Sequence, residues 1–267
     1  MSQPLTRHQT NAIIGHTGLV GGNLFRQFRF DSCYNSSNIK EIEGTHHNLL
    51  VCSGVSGTKW LANREPEKDR AAIEALLEPL KKCTADEVIL ISTVDVYANP
   101  CEVDEDTPID TSCLHSYGIH RYQFEQEILD LFPCVLIARL PAIYGWNLKK
   151  NALYDLIHRH ELEKIHPKAI YQFYWLDHLW RDIQIARNAG LSILNFATEP
   201  LGIQKVAEEV FGICLEGTPA VKPASYDFRT RHSSLFGGPD GYLYDQATAL
   251  EEIRNFAQQQ ILYRSSL

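Results

Sequence analysis

The sequence predicts an α/β fold in which a doubly wound parallel sheet is covered by helices on both faces. Three observations carry that expectation. Short apolar runs alternate with helical stretches through the first half of the chain. A glycine-rich loop stands at the first strand–helix junction. The strongest apolar run, Val88-Ile89-Leu90-Ile91, is continuous rather than alternating, as in a strand buried on both faces. Right-handed crossovers then make doubly wound topology the best choice.

The elements follow in order. Asn11-Ala12-Ile13-Ile14-Gly15 is a short apolar run closed by glycine and predicts the first buried strand. Residues 19–30 set Leu19, Val20, Leu24, Phe25 and Phe28 along roughly one helical face. Ser32-Cys33-Tyr34-Asn35 predicts a short second strand, and Asn48-Leu49-Leu50-Val51-Cys52-Ser53 a central parallel one. The interval between these two leaves little room for a full helix. Residues 66–82 predict a helix, with Pro66 in its first turn, acidic residues early, and Lys81 and Lys82 late. Pro79 is expected to bend it or end it early. A strand over 87–92, a helix over 115–132 and a strand over 134–139 complete the alternation. Beyond about residue 145 it weakens, and the Gly-, Pro- and Ser-rich stretch 216–244 predicts loops of a smaller lobe.

The 267 residues suffice for one large α/β domain or a domain with a small lobe. No apolar run approaches the ~18 residues of a membrane span, and Met1-Ser2-Gln3-Pro4-Leu5-Thr6-Arg7-His8 lacks the apolar stretch of a secretory signal. The seven cysteines are never spaced as C-x-x-C, and several lie inside apolar runs. Free thiols in a reducing, cytoplasmic setting are the expectation. A formal charge of −8 argues against nucleic acid as a partner.

Gly15-His16-Thr17-Gly18-Leu19-Val20-Gly21 reads G-x-x-G-x-x-G between a strand and a helix. Such a loop turns tightly, lets backbone approach a pyrophosphate, and aims a helix N-terminus at its charge. Gly15, Thr17, Gly18, Leu19, Val20 and Gly21 are therefore expected to cradle a dinucleotide in a Rossmann-type core, with Ser53 and Gly54 at the end of the third strand. A ribose-binding carboxylate is expected about 20 residues on, but the chain reads Tyr34-Asn35-Ser36-Ser37-Asn38. Without that negative charge, Asn35, Ser36 and Ser37 can donate to a 2′-phosphate, which puts NADP ahead of NAD; a plain turn is the alternative. Residues 1–150 are read as the dinucleotide-binding core. Residues 151–267 are read as a mixed region that completes the sheet and forms a small substrate-binding lobe.

Taken in order, further motifs give the chain a family likeness. The glycine loop is followed by Ile91-Ser92-Thr93-Val94-Asp95-Val96-Tyr97, Tyr117-Gly118-Ile119-His120-Arg121, Arg139-Leu140-Pro141-Ala142-Ile143-Tyr144-Gly145 and Trp175-Leu176-Asp177-His178-Leu179. Over about residues 11–215 this series resembles the extended short-chain dehydrogenase/reductase family, the NAD-dependent epimerase/dehydratases of nucleotide-sugar metabolism. The resemblance implies that Tyr117 is the base that removes a hydroxyl proton while hydride leaves for the nicotinamide. It implies that Thr93 hydrogen-bonds the same oxygen, that Pro141 lies against the cofactor, and that Asp95 and Tyr144 face the substrate. A free tyrosine titrates near pH ~10, so a cation must favour the phenolate. The family uses a lysine four residues on; here it is Arg121, which keeps the charge but cannot relay protons. His120 is expected to be solvated. Asp69 stands near the family's helix asparagine, and Ala142 replaces another asparagine. The dehydratase branch carries an Asp-Glu pair after the threonine, where this chain has Val94 and Asp95, so 4,6-elimination is not expected.

Arg229 and Arg231 alternate on a basic segment and are expected to clamp a diphosphate, with surface charge as the alternative. His158 and His160 lie two apart, which points them in different directions on a helix, so no metal is expected. Leu76, Leu77 and Leu80 form a stripe that either supports a homodimer or packs on the sheet. The expectation is an NAD(P)-dependent oxidoreductase or epimerase acting on a sugar or nucleotide-sugar, with no membrane partner. The alternative is a dinucleotide-binding sensor or scaffold with little catalysis.

Overall fold

The computed structural model describes residues 10–220 and 222–265. Met1 to His8, read above for a signal, lies outside the described residues. In chain order the regular elements are β1 (Asn11–Ile14), α1 (Leu19–Gln27), β2 (Ser32–Tyr34), β3 (His46–Cys52), α2 (Lys59–Arg64), α3 (Pro66–Leu80), β4 (Thr84–Thr93), α4 (Ser116–Leu131) and β5 (Val135–Leu140). There follow β6 (Ala142–Tyr144), α5 (Ala152–His158), β7 (Ile170–Tyr171), β8 (Phe173–Trp175), α6 (Leu179–Asn188), β9 (Ile193–Asn195), β10 (Leu201–Gly202), α7 (Ile203–Phe211) and α8 (Gln246–Ser265).

Six strands form one sheet in the order β2-β1-β3-β4-β5-β9, and every neighbouring pair is parallel. The chain leaves β1 for one edge at β2, then returns to β3 on β1's other side. That reversal opens a crevice at the carboxyl ends of β1 and β3, where such sheets collect ligands. Only the 3-10 turn Ile39–Ile42 fits between β2 and β3, in line with the short interval in the sequence.

Successive strand residues feed opposite layers, as a two-residue period requires. Ile14, Leu50 and Leu90 pack with Ile73, Leu77 and Leu80 of α3 and Phe124 and Ile128 of α4. Ile13, Val51 and Ile89 pack on the other face with Leu24 of α1 and Leu179 and Ile183 of α6. The Leu76, Leu77, Leu80 stripe is thus buried inside the chain's own core. Helix α3 closes at Leu80, one residue past Pro79. A third cluster joins β6 and β8 to α5, α7 and α8 and forms the lobe beside the sheet. No helix among the described residues is long and apolar enough to cross a membrane.

Helix α4 is tied to the sheet by a buried ion pair. Arg139 of β5 donates through Nε and Nη2 to the Glu125 carboxylate at 3.0 and 2.6 Å, and through Nη1 to Tyr97 Oη at 2.8 Å. Ser92 of β4 donates to the same carboxylate at 2.5 Å. Both charged side chains are fully enclosed, so removing one strands the other at a cost of about 3–5 kcal/mol. Glu125→Ala is accordingly expected to lower unfolding free energy by about that much in urea titration; a variant within about 0.5 kcal/mol of wild type would contradict this role.

Candidate active site

A cleft of about 1360 Å³ opens where the β1, β3 and β4 ends meet the loop after β6. Its floor begins at the glycine loop. Gly15 has φ +85, and a Cβ there would stand 2.4 Å from Ser53 O, so the β1 turn and the end of β3 touch through bare backbone. Gly21 is equally constrained, because its Cβ would meet Gly15 O at 2.2 Å. Gly18 is less constrained, though still close: a Cβ there would stand 3.3 Å from Gly15 O, at the cleft wall. No side chain caps α1 and no acidic residue lies in its first turn. The amide hydrogens of Leu19 and Val20 are therefore orphan donors at a positive helix end, on residues that line the cleft. These features fit an anionic dinucleotide backbone.

Thr17, Gly18, Asn35, Ser36, Ser53, Gly54 and Pro141 line the same cleft, while Gly21 and Ser37 do not. Gly21 is packed beneath the loop, and Ser37 donates to Asn35 Oδ1 through both its amide, at 2.8 Å, and its hydroxyl, at 2.6 Å. Asn35 Oδ1 is therefore engaged in a local turn.

Thr93, Asp95, Tyr117 and Arg121 converge at the other part of the cleft. Helix α4 reaches it because Gly118 lets the helix lie against the turn after β4; a Cβ there would be 2.3 Å from Asp95 O. His115 caps α4, its Nδ1 accepting from Gly118 N at 3.0 Å. Asn63 of α2 accepts from the Tyr117 amide at 2.9 Å. The Tyr117 side chain is buried within the cleft wall.

Arg121 departs from the role its position implies. Its guanidinium lies 4.2 Å over the Tyr117 ring, and it grips Asp69 bidentately, Nη1 to Oδ2 and Nη2 to Oδ1, with Nη2 also donating to Ser56 O. His120, expected in solvent, instead bonds Asp69 Oδ2 through Nδ1 at 2.8 Å. Asp69 thus fixes two side chains of α4 from α3. Burial alone would raise its carboxyl, yet Arg121 and His120 hold it below the usual aspartate range. For Tyr117 the balance goes the other way: burial raises the phenol above its ordinary value, and the Arg121 charge and Thr93 hydroxyl only offset part of that. The charge at position 121 offsets only part of the effect of burial on Tyr117.

Three expected substrate contacts lie elsewhere. Tyr144 is fully buried in the lobe core, stacked parallel to Trp175 and edge-on to Phe256. Arg229 is held by Asp227 and covers the Tyr242 ring, and Arg231 pairs with Asp106. Nearby carboxylates capture both arginines, so they form no joint clamp at the cleft. Among the described residues no cluster of His, Cys, Asp or Glu is arranged to hold a metal ion.

Several further residues at the cleft carry no motif in the sequence. Lys59 Nζ donates to Asp95 Oδ1 at 2.8 Å and to Tyr226 Oη at 3.3 Å, while the Tyr226 hydroxyl donates to the same Oδ1 at 2.9 Å. Lys150 reaches across to Thr58 Oγ1 at 2.7 Å, and Lys149 also lines the cleft. The available signal was position: Lys59 follows the β3 end, where this topology gathers ligands.

No protein-family model matches the chain. No curated protein matches it in sequence. Solved structures do. A dTDP-4-dehydrorhamnose reductase from Bacillus anthracis, in complex with NADP, superposes with TM-score 0.70 at 16% identity over 96% of this chain and 100% of its own. A UDP-galactose 4-epimerase gives TM-score 0.71 at 15% identity over 96% of this chain and 99% of its own. The Thermotoga maritima UDP-glucose 4-epimerase with UDP-glucose gives 0.64 at 14% identity over 85% and 91%. The chain shares the fold of these proteins.

The Asp69 clamp has a pH signature. A carboxyl held below its ordinary value of 3.8 contributes stability that is complete above that value and is lost as pH falls through the depressed one. Asp69→Asn is expected to cost roughly 3 kcal/mol at neutral pH and to flatten the acid limb of stability measured by urea unfolding between about pH 5 and about pH 2. An unchanged acid limb would contradict the clamp.

Proposed function

We propose that this chain is a divergent member of the extended short-chain dehydrogenase/reductase family. On this reading it acts as an NAD(P)-dependent oxidoreductase or epimerase on a hydroxyl or keto group of a sugar or nucleotide-sugar. The single observation that carries the reading is the meeting, in one cleft, of the glycine cradle with Tyr117 and Thr93. The shared fold with nucleotide-sugar epimerases and a reductase in complex with NADP supports it.

A nicotinamide dinucleotide bound in the cradle supplies hydride transfer. Gly15, Gly18 and the amides of Leu19 and Val20 hold its pyrophosphate. The absence of a carboxylate at Asn35 and Ser36 removes repulsion against a 2′-phosphate, so NADP is favoured over NAD. Tyr117, with its phenol raised by burial, is protonated near neutrality. It is therefore primed to give that proton to a carbonyl oxygen as the carbon is reduced. Thr93 lies beside Tyr117 and lowers the cost of the phenolate left behind. Arg121 adds its field from the ring face.

A second reading, binding without turnover, has one observation in its favour: the Arg121 guanidinium, at the cleft wall, is already held by Asp69 and Ser56. Fluorescence titration with NADPH, followed by NADPH oxidation against a keto-sugar panel, separates the two. The proposal expects binding and turnover, and expects Tyr117→Phe to lower turnover by about 100-fold or more with NADPH affinity retained. Binding with no turnover on any sugar supports the second reading. Activity unchanged in Tyr117→Phe overturns the role given to that residue.

A further inference from the structure

Reduction leaves Tyr117 as a phenolate that must regain a proton before it can act again. Arg121 cannot return it, because a guanidinium stays charged, and both its terminal nitrogens are engaged by Asp69 or Ser56. A different cation stands nearby. Lys59 and Asn63 are one turn apart on α2 and share a face, and Asn63 bonds the Tyr117 amide. Lys59 is thereby brought beside the first turn of α4. Asp95, which holds its ammonium, has its own carbonyl oxygen against Gly118, the residue after Tyr117.

Resting on the functional reading above, we propose that Lys59, anchored by Asp95 and Tyr226, returns the proton to Tyr117 and so does the work that the family's lysine would do at position 121. The ammonium is suited to this. Its side chain is 39% exposed, open to solvent, whereas Tyr117 is 7% exposed. Two of its protons go to Asp95 and Tyr226, which leaves a third. In the step an N–H bond at Lys59 breaks and an O–H bond at Tyr117 forms, through water in the cleft. The amine then takes a proton from solvent. No electrons move in this step; the hydride belongs to the nicotinamide cofactor.

The surroundings are mixed in charge. Asp95 pushes the Tyr117 phenol up, and Asp69 does so more weakly, while Arg121 pulls it down. His115 is lowered by burial first and by Lys59 next, with Asp95 opposing. Tyr226 is raised by burial and then by Asp95, with Tyr171 and Tyr117 adding to the effect. Lys59 is the solvent-open proton donor in this group.

Lys59→Met and Lys59→Arg test the assignment together. If Lys59 relays a proton, both variants lose turnover by about 100-fold in NADPH-dependent keto-sugar reduction, since arginine keeps the charge but cannot give up a proton. NADPH affinity, read by fluorescence, stays within about threefold of wild type. A readout without cofactor accompanies it: ultraviolet difference titration, with Tyr117→Phe identifying the Tyr117 transition. Lys59→Met uncovers the Asp95 carboxylate and moves that transition to higher pH, Asp95→Asn moves it lower, and Lys59→Arg leaves it in place. Wild-type turnover in Lys59→Arg overturns the relay, and an unmoved transition in Lys59→Met overturns the coupling. Wild-type protein that binds NADPH but neither reduces nor epimerises any sugar brings down the functional reading and this inference together. If wild type turns over, Tyr117→Phe does not, and the Lys59 variants do, only the inference falls.

Discussion

The buried pair of Glu125 and Arg139 fixes the geometry on which the cleft depends. It joins the middle of α4 to β5, while Ser92 ties the same carboxylate to β4. With α4 held at that point, Gly118 can rest on the turn after β4, and Tyr117 enters the cleft close to Thr93. Arg139 also reaches Tyr97 Oη, which in turn accepts from Asn195 Nδ2 at 3.1 Å. Two elements far apart in sequence, the β4 turn and β9, are thus referred to one buried charge pair. Such a pair contributes little net stability against an apolar substitute, but it defines one arrangement sharply, because any other leaves a charge unmatched in the core.

Around Tyr117, burial and charge compete. A desolvated phenol resists ionisation, and the nearest cation, Arg121, is itself largely neutralised by Asp69. The arginine and the aspartate belong together: a guanidinium presents a planar fork, and a carboxylate on the facing helix fills it. That pairing gives α3 and α4 a rigid contact and holds the cation in one place at the cleft wall. Lys59 stands in the same cleft with its charge shared between Asp95 and Tyr226. Burial and the carboxylate of Asp95 thus favour the neutral phenol at Tyr117, and Arg121 and Thr93 oppose them only in part.

Much of the fold was legible in the sequence because local patterns specify it. The runs at 11–15, 48–53, 87–92 and 134–139 became β1, β3, β4 and β5, and the glycine loop stands where its spacing predicted. Features set by tertiary partners were not legible. The parity of Arg229 and Arg231 was read as a shared direction, but Asp227 and Asp106 capture them separately. Tyr144 follows β5 as the motif requires, yet the β6–β8 pairing carries it into the lobe core. Nothing local in the sequence marks Asp69, 51 residues away, as the partner of His120. Lys59 is silent in the sequence for the same reason: its partners are Asp95, 36 residues on, and Tyr226, 167 residues on.

Isotope transfer tests the central claim most directly. Wild-type protein is incubated with a keto-sugar and NADPH deuterated at the hydride-donating carbon, and the product is analysed by mass spectrometry. The account predicts deuterium on the new carbinol carbon of the sugar. A reduced sugar without deuterium, or neither a reduced nor an epimerised sugar from any member of the panel, would contradict it.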